Sequence, residues 1–327
     1  MKLNNIVTLS PHIKQADGIS SVMLDVIIGL FPAALGAVFF FGIRALLIIV
    51  TCITSCVLAE YFWCKIFKKP ITTGDLSAVV TALLLAYSLP PTTPLWVVMI
   101  GGVFSIIVVK QLFGGLGHNF MNPALCGRAF LMASWPAYMT SWTTPTVFGA
   151  DAVSTATPLA TLASGNWQDL PLMSDMFFGN RSGCIGETSA ILILLGGIYL
   201  IVRNVIDWKI PFFYILTSFI MGFCLGGGTA IESLMTATVH ILTGGILLGA
   251  IFMATDYTTS PVTPLGHIIM GIGCGLITSL IRFCGGYAEG VTYAILIMNA
   301  LTPLIDRYIR PRTFGHFPKK KEAGQNA

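Results

Sequence analysis

The sequence predicts an all-α polytopic membrane protein with about ten transmembrane helices. Of its 327 residues, 55% are hydrophobic and only 10% are charged, whereas soluble domains carry roughly 25% charged residues. The apolar residues form long runs, and the lysines and arginines lie mostly in every second connection between those runs. So little charge cannot cover the surface of a soluble domain, and the pattern instead indicates repeated membrane crossings.

The individual spans are predicted from the length of the apolar runs, because a helix that crosses a membrane needs about 20 mainly apolar residues. The third and fifth runs are short or contain polar residues, which leaves their ends uncertain by several positions. The predicted spans are about 22–42, 44–63, 76–90, 94–113, 123–140, 186–203, 208–225, 233–254, 265–283 and 290–305.

The basic residues predict the orientation of these spans. With the N-terminus inside, fifteen of the 18 lysines and arginines face the cytoplasm, and only Arg44, Arg181 and Arg282 lie outside, as the positive-inside rule expects. The whole chain, 1–327, is then a single N-in, C-in membrane domain with a cytoplasmic N-terminus (1–21). Residues 141–185 form an extracytoplasmic loop, and residues 306–327 form a basic cytoplasmic tail that attracts anionic lipid.

Charge and cysteine content exclude several other classes of protein. The net charge of +4 follows from this topology and does not indicate nucleic-acid binding. Eight cysteines are scattered without a CxxC pair, and no Cys/His spacing typical of a metal site is present. The sequence therefore predicts no metal ligands.

An internal repeat is indicated by two similar segments. Thr93-Pro94-Leu95 and Thr263-Pro264-Leu265 each follow an apolar run and a Thr/Pro-rich break, and each precedes another apolar run. Five spans separate the two copies, so they run in opposite directions through the membrane. This is the inverted 5+5 arrangement found in many transporter-like folds.

Two segments combine glycine or proline with polar residues at the ends of spans, at 114–130 and 254–261. Such sequences are typical of broken helices whose ends face a ligand, because non-helical backbone at membrane depth must be satisfied by protein or ligand. The alternative is that both segments are ordinary connecting loops.

Ionisable residues inside or near spans are costly in lipid and are therefore informative. For Asp25 and Glu60 the sequence favours interfacial or bundle-facing acids with a local partner, and an ion path is the alternative. For His240 it favours hydrogen-bonded packing over a proton relay. Arg128 is expected to snorkel or to pair with backbone carbonyls.

The longest polar segment contains "FGADAVSTATPLATL", residues 148–162. Ser154 and Thr157 are good helix N-caps, and Pro158 suits a first helical position. Small residues also permit a phosphate to approach the backbone closely. A threonine hydroxyl could itself be esterified in such a segment. The residues alone leave these three interpretations open, with the cap favoured.

Four strings carry a resemblance to a known family: "QLFGGLGHNFMNPALCGRAFL", "DAVSTATPLA", "GAIFMATDYTTSP" and "YAEGVTYAILIMNALTPLIDRY". They resemble the NqrB/RnfD family, the membrane subunits of the sodium-pumping quinone reductase and of the Rnf electron-transport complex. The similarity runs from about residue 65 to 310 and is greater for the Rnf-type members.

The resemblance implies a covalent flavin. In this family an Asp-x-x-Ser/Thr-Gly-Ala-Thr motif carries FMN as a phosphoester on its last threonine, and a flavin transferase attaches it. The motif residues of this chain are Asp151, Ser154, Thr155, Ala156 and the attachment residue Thr157. Thr155 stands where the family has glycine, so a second hydroxyl neighbours the acceptor.

The resemblance also implies a function: electron transfer between ferredoxin and NAD coupled to the transport of Na⁺ or H⁺. The chain would then be one subunit of a translocase-type oxidoreductase that is not active alone. Its partners would be RnfA, RnfB, RnfC, RnfE and RnfG, in a bacterial cytoplasmic (inner) membrane with the flavin loop on the periplasmic side. A second, non-covalent flavin (riboflavin) is expected near Asn119, Asn122 and Asp256. The repeat and broken helices alone would also suit a secondary transporter or channel for a small solute.

Overall fold

The computed structural model describes residues 18–145, 156–164, 170–227, 229–285 and 289–310, and its regular structure is helical. This confirms the all-α fold class of a polytopic membrane protein. The helices are α1 (Ile19–Ile66), α2 (Ser77–Tyr87), α3 (Leu95–Phe104, continued by a π-helix at Ser105–Gln111), α4 (Pro123–Ser134), α5 (Pro136–Met139), α6 (Pro158–Ala163), α7 (Met173–Phe178), α8 (Ala190–Val202), α9 (Lys209–Leu225), α10 (Ala230–Leu242), α11 (Ile246–Leu248, continued by a π-helix at Gly249–Met253), α12 (Pro264–Cys284) and α13 (Val291–Tyr308).

Each of the ten predicted spans overlaps with helix, although two of them are interrupted. The first two are the two halves of α1, which is interrupted at Gly42 by a non-helical backbone with φ of +64°. A positive φ is accessible to glycine without steric cost, so the last residue of the first predicted span is one that permits the interruption.

Length and apolar composition allow only α1 and α12, among the described helices, to cross a membrane on their own. A third crossing is added if α10 and the segment Ile246–Met253, bent by 56° at the break between them, are taken as one span. Several further apolar helices are shorter, including α2, α8 and α9. Ten crossings and the N-in orientation therefore stay predictions.

Small residues mediate close contacts between helices. Gly29 of α1 and Gly196 of α8 pack so that a Cβ on Gly196 would collide with the carbonyl of Gly29. On α12, a Cβ on Gly271 would lie 2.9 Å from the carbonyl oxygen of Ile210 on α9. Since lipid provides no hydrophobic drive between helices, such van der Waals contacts supply much of the packing energy in a membrane.

The helix contacts agree with the predicted repeat. The second half of α1 packs on α3 through Ser55 and Gly102, and α9 packs on α12 in the same relative place in the second half of the chain. The first helices of the two halves, the start of α1 and α8, pack on each other. Helices α3 and α12 begin directly at the two Thr-Pro-Leu copies.

The structure differs from the predicted limits of helices and loops in three places. The predicted span 233–254 is broken, because α10 ends at Leu242 and Gly244 and Gly245 adopt φ of +68° and +73°. The predicted span 123–140 is divided at Trp135, where α4 ends before Pro136. The predicted loop 141–185 contains α6 and α7.

Candidate functional site

Thr157 immediately precedes α6 and caps it. Its Oγ1 accepts a hydrogen bond from the backbone N–H of Ala160 at 3.3 Å, and Pro158 occupies the first helical position. The backbone of the preceding residue, Ala156, is held by a hydrogen bond that the Ser182 hydroxyl donates to its carbonyl at 2.9 Å. The capping interpretation is confirmed for Thr157, and only 8% of this residue is exposed. The other motif residues, Asp151, Ser154 and Thr155, lie outside the described residues.

A cavity of about 400 Å³ lies directly beside α6. It is bounded by α6, by the C-terminal ends of α9 and α12, and by one face of α10. We refer to it as the Arg282 cavity. Its lining residues are Leu159, Leu162, Ala163, Leu225, Gly226, Thr236, His240, Arg282, Phe283 and Gly285. Its volume falls within the roughly 300–1,000 Å³ of small-molecule sites.

Arg282 joins the end of α12 to the break between α10 and α11. Its Nη1 donates to the carbonyl of His240 at 2.7 Å, and its Nη2 donates to the carbonyls of Gly244 at 2.8 Å and Thr243 at 3.3 Å. Helix C-terminal carbonyls lack intrahelical partners and attract cations. The buried Nε of Arg282 has no hydrogen-bond partner among the described residues.

His240 lies between Arg282 and Phe283. Its ring stacks on Phe283 with centroids 4.6 Å apart, and its Nδ1 is 3.3 Å from Nη1 of Arg282. The packing role expected from the sequence is therefore present. Sequence reasoning missed Arg282, and the one available signal was that it is one of only three basic residues predicted to lie outside the cytoplasm.

A cluster of buried charges lies next to these residues, in the segment before α8. Arg181 donates to the carbonyls of Thr188 at 3.0 Å and Glu187 at 2.6 Å. The Glu187 carboxylate accepts from the backbone N–H of Cys184 at 3.0 Å. Burial lowers the pKa of Arg181 to about 10, against the opposing effect of Glu187. Burial raises the pKa of the Cys184 thiol well above its usual range.

Arg128 on α4 ion-pairs with Glu289 and contacts the Cys184 sulfur at 3.5 Å. The expectation that Arg128 snorkels or pairs with carbonyls was wrong, because Arg128 pairs with the carboxylate of Glu289, which is 161 residues away in the sequence. Ligand atoms of Cys184, Glu187 and Glu289 lie within 4.8 Å of one another. The guanidinium of Arg128 already supplies the positive charge that a metal ion would bring to these groups.

A second cavity, of about 80 Å³, brings together Asn119, Asn122 and Asp256. We refer to it as the Asp256 pocket. Asn122 caps α4 by accepting from the backbone N–H of Ala124 at 3.0 Å, and its amide donates to the carbonyl of Met253 at 3.2 Å. The backbone around it is non-helical on both sides, between Gln111 and Pro123 and between Met253 and Pro264. The two segments expected to be broken helices therefore meet.

Hydroxyl groups connect the polar residues of this pocket. The Asn119 amide donates to Thr258 Oγ1 at 2.9 Å, and the hydroxyls of Thr258 and Thr259 donate to the Asp256 carboxylate at 3.1 and 3.3 Å. Burial raises the pKa of Asp256, and the two hydroxyl groups oppose this rise.

The two acids singled out in the sequence both have partners. Asp25 accepts from Tyr199 at 2.8 Å and from Arg203 at 3.1 Å. Glu60 Oε1 accepts from Lys110 at 2.9 Å and from Gln111 at 2.8 Å, while its buried Oε2 has no partner among the described residues. Lys110, which also lines the Asp256 pocket, was not predicted as a site residue.

Comparisons with known proteins show the family of the chain. A model of the NQR2, RnfD, RnfE family matches residues 6–315. The chain is 49% identical to the D component of the Na(+)-translocating ferredoxin:NAD(+) oxidoreductase complex of Acetobacterium woodii, over 98% of this chain and 99% of that protein. It is 47% identical to the D component of the proton-translocating ferredoxin:NAD(+) oxidoreductase complex of Clostridium ljungdahlii, over 95% and 97%. It is 36% identical to the D component of the ion-translocating oxidoreductase complex of Escherichia fergusonii, over 95% and 98%. The chain therefore belongs to the NQR2, RnfD, RnfE family.

Proposed function

We propose that the chain is the D component of an Rnf-type ion-translocating oxidoreductase complex, which passes electrons between ferredoxin and NAD coupled to transport of Na⁺ or H⁺. In this proposal FMN is bound covalently to Thr157. The names of the relatives support the complex, since their similarity extends over nearly the whole length of both chains. The coupling ion is left open, because one relative is named for Na⁺ and the other for protons.

The observation that carries the flavin proposal is the position of Thr157 at the start of α6, whose next turn lines the Arg282 cavity. A neutral threonine hydroxyl is a weak nucleophile, so attachment requires a separate flavin transferase, which would break the pyrophosphate bond of FAD, join the FMN phosphate to Oγ1 and release AMP with the hydroxyl proton. Esterification replaces the hydroxyl proton and leaves a lone pair on Oγ1. The ester oxygen can therefore still accept from Ala160, and cap and attachment are compatible roles.

The residues beside Thr157 fit the group. The cavity has the volume of a small-molecule site, and the unpartnered Nε of Arg282 is, within the described part of the chain, an orphaned buried donor beside it. When bound, FMN would supply the redox chemistry, and the protein would orient it and set its electrostatic surroundings. Ser182 would hold Ala156, and α6 would fix the direction in which the ester leaves the backbone.

A second, non-covalent riboflavin is proposed for the Asp256 pocket. Asn119, Asn122 and Asp256 offer amide and carboxylate groups against apolar walls, which is the usual composition of a ligand site. At about 80 Å³ the pocket is smaller than most such sites. Binding a flavin ring would therefore displace lining side chains such as Leu84 and Phe252.

The setting proposed for the chain is a bacterial cytoplasmic membrane, with residues 141–185 on the outer side. RnfA, RnfB, RnfC, RnfE and RnfG are its proposed partners. The exposed apolar faces of α1, which include Phe31, Leu35 and Phe39, offer surface for lipid or for such partners. On this account the chain acts within the assembled complex and not alone.

The test of covalent attachment is in-gel ultraviolet fluorescence of the denatured chain after co-production with a flavin transferase. The wild-type band is expected to fluoresce and the Thr157→Ala band to be dark. Thr161→Ala, which removes a hydroxyl one turn further along α6, is the matched control and should stay fluorescent. Fluorescence retained in Thr157→Ala would place the ester on Thr155 or Ser154. A dark wild-type band with an active transferase would favour the transporter or channel alternative.

A further inference from the structure

We propose that the Arg282 cavity is the binding pocket for the isoalloxazine ring of the flavin on Thr157. In this pocket His240 donates a hydrogen bond to the ring, and Arg282 supplies a positive charge. This inference rests on the proposed function, because it requires a flavin on Thr157. It adds the two residues, on α10 and α12, that would position the ring and set its redox potential.

Thr157 lies close enough to the Arg282 cavity for a flavin attached to it to reach the cavity. Thr157 caps α6, and Leu159 and Leu162 of the same short helix form one wall of the cavity. Successive helical residues rise by about 1.5 Å, so Leu159 is only about 3 Å along the helix axis from the attachment residue. The phosphate and five-carbon ribityl chain of FMN are longer than one helical turn. The ring can therefore enter the cavity without movement of α6.

The ring of His240 carries its proton on the nitrogen that does not face Arg282. A guanidinium carries only N–H donors, so the Nδ1 atom facing Arg282 at 3.3 Å must be the unprotonated nitrogen of the ring. The neutral imidazole then carries its proton on Nε2. This Nε2–H has no hydrogen-bond partner among the described residues, while His240 lines the cavity. This Nε2–H group is therefore, in the described part of the chain, a hydrogen-bond donor without an acceptor, next to a cavity that is large enough for a ligand.

Within the part of the chain that the structure describes, the guanidinium of Arg282 has no carboxylate within ion-pair distance. Among the described residues, Arg282 bonds to backbone carbonyls and to a ring nitrogen and makes no ion pair with a carboxylate. Glu187 and Glu289 act on Arg282 only from beyond ion-pair distance, and a buried charge without a close counter-charge is costly. A ring that gains negative charge when it accepts electrons would provide that counter-charge. The arrangement therefore favours the reduced flavin and raises its midpoint potential.

The test is a spectroelectrochemical titration of the full-length chain, loaded with covalent flavin and purified in detergent. His240→Leu removes the donor, and His240→Gln keeps one. His267→Leu is the matched control, because it lies at the other end of α12 beside Asp207. His240→Leu should bind the reduced ring at least tenfold less well relative to the oxidised ring. For a two-electron couple this lowers the potential by about 30 mV. His240→Gln and His267→Leu should remain close to wild type.

A second readout reports where the ring lies. In the folded wild-type chain its fluorescence should be sheltered from iodide in solution. Ala163→Trp places a bulky side chain on the cavity wall and should expose the ring to iodide. A potential of His240→Leu equal to that of His267→Leu, or iodide quenching unchanged by Ala163→Trp, would overturn the inference. A dark wild-type band on the denaturing gel would instead overturn the covalent flavin, and this inference with it.

Discussion

The Asp256 pocket and the Arg282 cavity lie at opposite ends of α12, which begins just after the first and ends at the second. At 1.5 Å per residue, the 21 residues of α12 separate them by about 30 Å. The charges around them differ in sign. Asp256, Glu60 and Lys110 give the first an excess of one acid, whereas Arg128, Arg181 and Arg282 outnumber Glu187 and Glu289 at the second.

This difference indicates different ligands for two sites built in a similar way. Each site lies where helices are interrupted, so each gains backbone groups that lack intrahelical partners. The basic end suits a phosphorylated flavin and the electrons that it accepts. The acidic end suits an uncharged ligand or a cation.

The largest effect is expected at the basic end, from the buried ion pair of Arg128 and Glu289. Glu289→Gln should lower the free energy of unfolding by roughly 3–5 kcal/mol, because it leaves a guanidinium buried without its counter-charge. Thermal unfolding in detergent measures this. Asp25→Asn breaks a pair whose arginine side chain is 52% exposed, and should cost less than about 1 kcal/mol. Equal losses in the two variants would contradict the account of the basic cluster.

An intermediate effect is expected at the break between α10 and α11. Gly244 has φ of +68°, and a Cβ there would collide with Cδ1 of Leu159 and lie 2.5 Å from Nη2 of Arg282. Gly244→Ala should therefore destabilise the protein by more than the roughly 1–2 kcal/mol of left-handed backbone strain. Gly227→Ala is the control, because Gly227 has φ of +63° with nothing within 4 Å of the added Cβ. A Gly244→Ala variant no less stable than Gly227→Ala would show that Arg282 does not depend on this close approach.

The smallest effect is expected at the acidic end. Burial raises the pKa of Asp256 above its ordinary value, so the folded state holds this proton to higher pH than the unfolded state. The contribution of Asp256 to the free energy of unfolding is therefore greatest at low pH. It is lost as the pH rises through the pKa that Asp256 has in the folded state. Asp256→Asn should be more stable than wild type at neutral pH, and the gap should close as pH falls toward about 4, the usual pKa of an aspartate. A gap independent of pH would contradict the assigned cause.

The sequence predicted the helices well for a simple physical reason. Long apolar runs are visible in composition alone, and each of the ten runs overlaps with helix in the structure, while their crossing of a membrane stays a prediction. The cap at Thr157 was also predictable, because Ser/Thr before Pro is a local signal. The two candidate broken helices, 114–130 and 254–261, were also visible in the sequence, the first from its glycines and the second from its hydroxyl residues and proline, but composition did not show that they meet.

The features that were missed depend on distant residues. The break at Gly244 and Gly245 is hidden inside an apolar run, and only the paired glycines after Thr243 marked it. Arg128 pairs with a residue 161 positions away, and Glu60 pairs with Lys110, 50 positions away. Neither spacing leaves a periodic signal, so both partners required the three-dimensional arrangement.

The most direct test of the central claim is the mass of one tryptic peptide. Between Arg128 and Arg181 there is no lysine or arginine, so trypsin releases residues 129–181 as a single peptide that contains the whole motif. After co-production with a flavin transferase, its mass should exceed the calculated value by that of FMN less one water. Fragmentation should place the addition on Thr157, and Thr157→Ala should abolish it. An unmodified wild-type peptide, from cells in which the transferase is active, would contradict the account.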